Sequence, residues 1–349
     1  MRLERRTETP LALALSAPLV AVAIALALSG LLIAIAGANP FQAYYEMVKG
    51  AFGSRLSISE TLTRTTPLVL TGLAAAVAFR SRLWNIDGEG QFYVGALCAA
   101  WLGHSIASVL PAAFAIPVIM VAGMIAGALL LLGPVILRIR FGVDEVVTTL
   151  LLNFIVLLFV SMMIEGPLKD PLAFGWPQSV AVSNDVMLPK LLSRSRLHIG
   201  LLIAIAAAII IYVVQSRTVF GVKSRAAGLN AAAASFAGIS LGGTLLVVAC
   251  ISGALAGLAG AIEVTGLKGY VTLDLSPGYG YSGIVVAMLA GLNPLGVVAP
   301  ALFVAIVFVG ADIMSRAMGV PSFIADVIVS ISLLTMLVCL LFTTYRVRR

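Results

Sequence analysis

Long runs of apolar residues, separated by short polar or glycine-rich breaks, dominate the chain. Most runs contain the roughly 20 residues that an α-helix needs to cross about 30 Å of hydrocarbon. The fold class is therefore predicted to be all-α, a polytopic bundle of membrane helices. The pattern predicts about ten transmembrane segments, at residues 11–38, 62–79, 88–109, 112–137, 145–164, 198–214, 243–263, 279–291, 295–313 and 322–343.

The eighth segment is shorter than the others. The sequence Gly291-Leu-Asn-Pro294 divides one long apolar run, because a proline would break a continuous helix at that point. About 13 residues precede the break, and at 1.5 Å per residue they reach only about 20 Å. The sequence leaves open whether this segment crosses the membrane completely.

Composition supports a membrane protein and excludes an ordinary soluble enzyme. Apolar residues make up 61% of the chain and charged residues only 11%, whereas soluble domains contain about 25% charged residues. The sequence contains no phosphate-binding Walker motif and no zinc-protease motif. No catalytic or metal-binding residues are therefore expected, and the energy for any transport must come from an ion gradient or from a partner.

The charged residues are distributed unequally between the two sides of the predicted bundle. With the N-terminus in the cytoplasm, 13 of the 22 basic residues and six of the 15 acidic residues face the cytoplasm. The whole formal net charge of +7 then lies on that side, as the positive-inside rule requires. Both termini are predicted to be cytoplasmic. The excess of basic residues is explained by the orientation of the chain in the membrane, so no nucleic-acid partner is expected.

Three hydrophilic stretches connect the predicted segments. Residues 39–61 and 165–197 are predicted to face outward, and residues 215–242 to face inward. The inward stretch is rich in alanine, glycine and serine and carries three positive charges without an acidic residue. This composition indicates a short helix that lies against a partner.

The two halves of the chain share a weak repeat. Residues 72–79 and 88–91 resemble residues 257–264 and 278–281, and the two copies run in opposite directions through the predicted bundle. Inverted repeats are common in transporters, whose substrate sites lie where glycine-rich breaks interrupt matching segments. We interpret the whole chain, 1–349, as one transmembrane domain with half-repeats at about 55–165 and 240–345.

Polar residues at membrane depth are the candidates for a substrate pathway. Asn85, Glu89 and Gln91 stand directly before or at the start of the third segment, and Asn153 lies inside the fifth. Such groups are costly in a membrane and usually face a cavity or another polar group. The alternative for the first three is a hydrogen-bonded helix N-terminus, and the alternative for Asn153 is a contact between helices.

Four motifs together resemble the permease subunits of bacterial ATP-binding-cassette (ABC) importers for nucleosides and simple sugars. They are Thr66–Gly72, Trp84–Gln91, Asp144–Asn153 and Gly228–Ile239. The resemblance covers residues 55–345. It is closest to the longer of the two permeases in the branch served by basic-membrane-lipoprotein-type binding proteins, and ribose-type sugar permeases are more distant.

Two positions depart from the pattern of that family. Asp87 replaces a residue that is usually small, which leaves the electrostatics of the pathway open. Alanines at 231–234 replace a more polar stretch that usually contains arginine, which leaves the details of docking open.

The resemblance implies an inner-membrane permease that moves nucleosides or related ribose-containing or simple sugar solutes by alternating access. Its partners would be cytoplasmic ABC ATPases, a second permease and an extracytoplasmic substrate-binding lipoprotein. ATP and magnesium would bind to the ATPases, so this chain needs no cofactor. Residues 221–242 would couple it to the ATPases, through Gly221, Lys223, Arg225, Gly228, Asn230 and Gly238.

Two other classes of function are compatible with the apolar pattern. An ion-coupled secondary transporter of small polar solutes would also contain an inverted repeat, but it usually needs ionisable groups deep in the bundle. A structural subunit of a membrane enzyme complex would not explain the basic stretch at 215–242. The exact substrate, and whether two identical or two different permeases assemble, do not follow from the sequence.

Overall fold

The computed structural model describes residues 2–5, 11–106 and 110–348. Helices provide nearly all of the regular structure there. They are α1 (Leu11–Ile35), α2 (Pro40–Phe52), α3 (Arg55–Arg80), α4 (Gly88–Ser105), α5 (Ala112–Phe141), α6 (Glu145–Glu165), α7 (Gly200–Arg217), α8 (Val219–Leu229), α9 (Ala231–Phe236), α10 (Leu241–Glu263), α11 (Tyr279–Leu289), α12 (Val298–Met318) and α13 (Ser322–Thr344). A π-helical turn, Val264–Lys268, extends α10, and a 3-10 turn occupies Asn184–Val186.

Each of the ten predicted segments coincides with one helix, which confirms the all-α class. Residues 107–109, at the predicted end of the third segment, lie outside the described residues. In the described part of the chain six helices are long and apolar enough to cross a membrane, namely α3, α5, α6, α7, α10 with its π-helical turn, and α12. The bent pair formed by α1 and α2, with an angle of 116° between them, would make a seventh span. Ten complete crossings therefore stay a prediction.

The eighth segment is only a short helix. Helix α11 has 11 residues, which at 1.5 Å per residue reach about 16 Å. Its last residues are followed by Gly291 and Leu292, both with positive φ values of 58° and 59°, so the helix cannot continue through this turn. By its length alone, α11 reaches about half-way across a membrane.

The chain divides into two compact units, residues 1–61 with 303–349 and residues 62–302. In the first unit, α1 packs along α13, and the buried side chains of Ile33, Ala43, Met314 and Ile328 form a core. Two short antiparallel strands, β1 (Arg2–Arg5) and β2 (Tyr345–Arg348), bring the two ends of the chain together. The apolar pattern did not predict these strands, because they are short and highly charged.

Hydrogen bonds join the connecting segments at both ends of the second unit. At one end, the stretch after α6 packs against the end of α10, where the Ser179 amide donates to the Val271 carbonyl at 2.9 Å and the Leu188 amide to Thr265 at 2.8 Å. At the other end, the Arg138 side chain donates to the carbonyl of Arg82 at 3.0 Å. Helices α6 and α10 both begin near Arg138 and Ile139 and run toward residues 179–188, so these two sets of contacts lie at opposite ends of the unit.

Glycines allow α5 and α10 to cross with their backbones in contact. The spacings Gly123-xxx-Gly127 and Gly253-xxx-Gly257 predict tight crossings, and these two pairs face each other. A Cβ atom added at Gly127 would collide with the Gly253 carbonyl oxygen, and one at Gly257 with the Gly123 carbonyl oxygen. Close approach of this kind is how membrane helices gain packing energy.

The spacing Gly238-xxx-Gly242 also predicts a tight helix crossing, but within the described residues these two glycines form none. A Cβ atom at Gly238 would meet nothing within 4 Å, and one at Gly242 would meet only the side chain of Ile139 at 3.4 Å. The prediction of a tight helix contact was wrong at Gly238, because this glycine has a φ of +80° and forms the turn after α9.

We expect Gly253→Ala to destabilise the protein, while Gly133→Ala in α5 leaves it unchanged or slightly more stable. The added methyl group at position 253 must separate α5 from α10, and such overpacking costs about 1–3 kcal/mol. Position 133 has open space around it, so only the better helix propensity of alanine, up to about 1 kcal/mol, acts there. Thermal unfolding of the two detergent-purified variants measures this difference, and equal melting temperatures would contradict the tight crossing.

Candidate functional site

Two helices begin beside each other in the second unit. The first turn of α4, at Gly88, contacts the first turn of α11, at Gly280. A Cβ atom on Gly280 would collide with the backbone amide nitrogen of Glu89, and one on Gly88 would lie 3.4 Å from the Gly280 Cα. Only a glycine at position 280 permits this approach of the two backbones. The contact joins residues 88–91 and 278–281, the glycine-rich parts of the predicted repeat.

Glu89 lies between these two helix N-termini. Its side chain is buried, and its Oε2 accepts a hydrogen bond of 2.6 Å from the amide of Gly280 in α11. Glu89 also stands in the first turn of its own helix, α4. Each helix N-terminus carries about half a positive charge, so one carboxylate balances both ends.

Asn85 and Gln91 form a buried pair next to this point. The Asn85 Nδ2 donates to Gln91 Oε1 at 3.0 Å, and the Gln91 Nε2 donates to Asn85 Oδ1 at 2.9 Å. Asn85 also donates to Ser252 Oγ at 3.0 Å, and Ser252 in turn donates to the carbonyl of Ala74 at 2.8 Å. This chain of hydrogen bonds connects α10, α3 and the residues before α4. Ser252 lies near the middle of α10, so the segment 81–87 runs back into the bundle before α4 starts.

A row of three side chains on α6 binds the backbone of the same segment. Glu145, Thr149 and Asn153 occur at positions i, i+4 and i+8 of the helix, and all three are buried. Glu145 accepts a hydrogen bond from the Trp84 amide at 3.4 Å, and Thr149 accepts one from the Ile86 amide at 3.4 Å. The row therefore acts as a clamp that fixes this segment to α6.

Asn153 makes the shortest contacts between this row and the segment before and at the start of α4. Its Oδ1 accepts from the Gly90 amide at 2.6 Å, and its Nδ2 donates to the Ile86 carbonyl at 2.9 Å. The structure thus brings all four predicted pathway residues, Asn85, Glu89, Gln91 and Asn153, into one cluster. All four bind protein groups in this conformation, and a direct contact with a solute stays a prediction.

Asp87 was noted in the sequence only as a departure from the family pattern. It is fully buried, and within the described part of the chain neither carboxylate oxygen has a hydrogen-bond partner. It precedes α4 without forming a side-chain cap, and its Oδ1 lies close to Gly90. An unpaired buried carboxylate is costly, so Asp87 belongs to the cluster as its least stabilised member.

Two further residues hold the segment before α11. The Thr71 hydroxyl of α3 donates to the Tyr279 carbonyl at 2.9 Å. The Tyr93 hydroxyl of α4 donates to the Leu273 carbonyl at 2.5 Å and accepts from the Ser276 amide at 3.2 Å. The sequence analysis did not single out either residue. Thr71 lies inside the motif Thr66–Gly72, which was the one available signal.

The predicted coupling stretch forms two short helices, α8 and α9, instead of one. Gly221 and Gly228 are buried, and added Cβ atoms would collide with the carbonyl oxygens of Gln215 and Arg80 respectively. Lys223 and Arg225 are exposed. Asn230 caps α9 by accepting from the Ala233 amide at 3.1 Å, and Gly238 forms the turn that ends it.

Helix α8 is joined directly to the segment that leads to the buried cluster. The hydroxyls of Ser224 and Ser81 are 2.6 Å apart, and Gly228 packs on the backbone at the C-terminal end of α3. Arg138 then pairs with Glu145 at 2.5 Å and also binds the Arg82 carbonyl. Only the residues 82–87 separate this contact from the start of α4.

Comparisons with known proteins identify related transporters. Residues 57–344 match the family model described as the permease component of the branched-chain amino acid transport system. The chain is 35% identical to a guanosine ABC transporter permease of Bacillus subtilis, with 91% of each chain covered. It is 34% identical to a nucleoside ABC transporter permease of Lactococcus lactis, covering 89% of this chain and 87% of the relative. It is 32% identical to a glucose ABC transporter permease of Haloferax volcanii, covering 99% and 93%. No solved structure matches the chain.

These relatives are all ABC permeases, which favours the importer expected from the sequence over a secondary transporter. The agreement extends over most of the chain, and the matched residues 57–344 include the positions of all four motifs.

We expect Asn153→Leu to lower both the melting temperature and the rate of uptake. The change leaves the Gly90 amide and the Ile86 carbonyl without their partner, and each unsatisfied buried group costs about 1–3 kcal/mol. Thr148→Val is the matched control, because the Thr148 hydroxyl donates only to carbonyls at the start of its own helix. Normal uptake and normal stability in Asn153→Leu would exclude Asn153 from the site.

Proposed function

Since this chain belongs to the family of the permease component of the branched-chain amino acid transport system, we propose that it carries nucleosides or related ribose-containing or simple sugar solutes. It is a multi-pass membrane subunit of an ABC importer and not an enzyme. The solute would pass by alternating access through the cluster around Asn85, Glu89, Gln91 and Asn153. An ABC permease works with ATPase and substrate-binding partners.

The chemistry of the cluster supports a neutral cargo with many hydroxyl groups. Amides such as those of Asn85, Gln91 and Asn153 both donate and accept hydrogen bonds. The cluster has carboxylates at 87 and 89 but no basic side chain among its members, so it offers no partner for the carboxylate of an amino acid. Two of the relatives are described as transporting nucleosides or guanosine and one as transporting glucose, which are neutral solutes rich in hydroxyl groups.

The observation that carries the proposal is the short path along the chain from α8 to the buried N-termini of α4 and α11. Helix α8 contacts Arg80 and Ser81, and residues 82–87 continue from there to the cluster where α4 and α11 begin. A displacement of α8 would therefore pull on the segment that holds Asn85 and Asp87. This arrangement suits a transporter in which a partner supplies the energy.

The exposed face of α8 and α9 is suited to an ATPase surface. Val222, Leu229 and Phe236 are apolar side chains that are 67%, 69% and 97% exposed, and Lys223 and Arg225 stand beside them. Exposed apolar groups of this kind mark interaction sites. We place ATP and magnesium on the partner ATPase, and α8 and α9 at the cytoplasmic side together with both termini.

A second permease and an extracytoplasmic binding lipoprotein would complete the complex. The permease partner would supply the other half of the translocation pathway, and the lipoprotein would deliver the solute to the outward face. Both assignments come from the resemblance of the motifs to nucleoside and sugar importers.

Uptake into proteoliposomes that contain the complete complex tests the cargo. We expect ATP-dependent uptake of a nucleoside or of a simple sugar, unaffected by an ionophore, from a panel that includes guanosine, uridine, ribose and glucose. Leucine is the control, because the family description names branched-chain amino acids. Uptake of leucine without uptake of any panel member would overturn the proposed cargo, and uptake abolished by the ionophore would overturn the ATP-driven mechanism.

We expect the double change Lys223→Glu and Arg225→Glu to uncouple ATP hydrolysis from uptake, with normal insertion into the membrane. Both side chains are exposed on α8, so the change alters the proposed ATPase contact without disturbing buried packing. The matched control is Lys190→Glu with Arg194→Glu, two exposed basic residues of the predicted outward stretch. Parallel assays of ATPase activity and uptake separate the two effects, and uptake at the wild-type rate would refute the coupling role.

A further inference from the structure

A cavity of about 490 Å³ lies at the basic end of the second unit. It is bordered by the end of α3, by α7, by α8 and by the turn after α11. Its volume is within the range of small-molecule sites, which occupy about 300–1,000 Å³. Two of the predicted coupling residues, Arg225 and Gly228, border this cavity, whereas none of the four predicted pathway residues does.

Three arginines line the cavity, and no acidic residue does. Arg80 comes from α3, Arg82 from the following segment, and Arg225 from α8. Within the described part of the chain, no carboxylate lies within 4 Å of any of the three. Arg80 is held by a hydrogen bond of 2.8 Å from its Nη1 to Gln215 Oε1. Each guanidinium offers five donors, so most of the donors around the cavity are free for an anion.

The backbone around the cavity is also unusual. Arg82 and Leu292 line it and have φ values of 52° and 59°. Non-glycine residues rarely adopt this conformation, and those that do are concentrated at ligand sites and switch regions. Arg82 is fixed in place by the hydrogen bond that Arg138 donates to its carbonyl.

The remaining lining residues are suited to an organic molecule. The aromatic side chains of Phe79 and Tyr212 and the amide of Asn293 border the cavity beside the arginines. Arginine recognises phosphate with paired, charge-assisted hydrogen bonds, and aromatic rings accept a sugar or a base. The geometry points to a binding site for a phosphomonoester of a small polar solute, such as a phosphorylated sugar or nucleoside.

A free phosphomonoester fits the cavity better than the headgroup of an anionic lipid. The ester carries close to two negative charges at neutral pH, and the three arginines around the cavity have no carboxylate partner within the described part of the chain. A lipid phosphodiester carries one negative charge. Both share the phosphate chemistry, so the experiment must distinguish these two sources.

Occupancy of this cavity would affect coupling. Arg225 and Gly228 belong to α8, whereas Arg80 and Arg82 belong to the path that leads to α4. A ligand bound by both groups would hold α8 against the end of α3. The site would then let a phosphorylated product inside the cell restrain further import. The nature of the organic group and the cytoplasmic position of the site rest on the proposed function, whereas the phosphate contact rests on the arginines alone.

The test is a binding titration of the complete complex in nanodiscs of phosphatidylcholine, which contain no anionic lipid. Ribose 5-phosphate and guanosine 5′-monophosphate are the probes, and ribose and guanosine are their unphosphorylated controls. Arg82→Gln removes one charge from the cavity. Arg140→Gln is the matched control, since Arg140 is exposed on α5 and does not line the cavity.

We expect both phosphomonoesters to bind and Arg82→Gln to weaken them by about 10- to 100-fold, the usual value of a hydrogen bond to a charged group. Arg140→Gln should bind them as the wild type does. Absent binding, or equal affinity in Arg82→Gln and the wild type, would overturn the proposal. The second outcome would place the probes elsewhere, for example on the ATPase.

A parallel titration in discs that contain phosphatidylglycerol tests the lipid. Arg82-dependent thermal stabilisation by this lipid, without binding of either ester, would overturn the proposal in favour of a lipid site. Arg82-dependent ester binding in a complex that imports neither a nucleoside nor a simple sugar would support the cavity and contradict the proposed cargo. The two failures are therefore distinguishable.

Discussion

The structure depends on a constraint that arises wherever a helix begins inside an apolar bundle. The first turn of a helix has backbone amides without partners, and burying such groups unpaired is costly. Here two helices, α4 and α11, begin against each other. The Glu89 carboxylate accepts a hydrogen bond from the amide of Gly280, and the side-chain Oδ1 of Asn153 accepts one from the amide of Gly90. Glycine is required at position 280, because an added Cβ atom there would collide with the Glu89 backbone and separate the two helix ends.

This constraint also determines how the surrounding elements are arranged. Helix α4 can begin inside the bundle only if the preceding segment runs back into it. The row on α6 and the pair formed by Asn85 and Gln91 hold that segment there. Since the same segment starts at the contact between Ser81 and Ser224, a single stretch of chain connects the surface helix α8 with the buried helix ends. Only a few residues of the chain therefore separate the contact with α8 from the buried helix N-termini.

The sequence predicted the helices well because hydropathy and the length of an apolar run are local properties. It also singled out polar residues that the structure places in one cluster, since an asparagine or a glutamate inside an apolar run stands out by itself. It could not predict their partners. Glu89 and Gly280 are 191 residues apart, and no local pattern specifies such a pairing. The sequence identified Asn153 inside an apolar run, but not that it binds the backbone groups of Ile86 and Gly90.

The hydrogen bonds that Asn85, Glu89, Gln91 and Asn153 make within the protein have a consequence for transport. If a solute is to replace any of these hydrogen bonds, the segment 85–90 must first leave α6 or α11. Breaking one bond to Asn153 costs only about 1 kcal/mol when another polar group replaces it, but 1–3 kcal/mol when the partners stay unpaired. A hydroxyl-rich solute offers that replacement, whereas an apolar one does not. The hydrogen bonds that keep the N-termini of α4 and α11 together can thus also discriminate between solutes. Only a polar solute can replace these bonds and so let the two helix ends separate at a low cost in free energy.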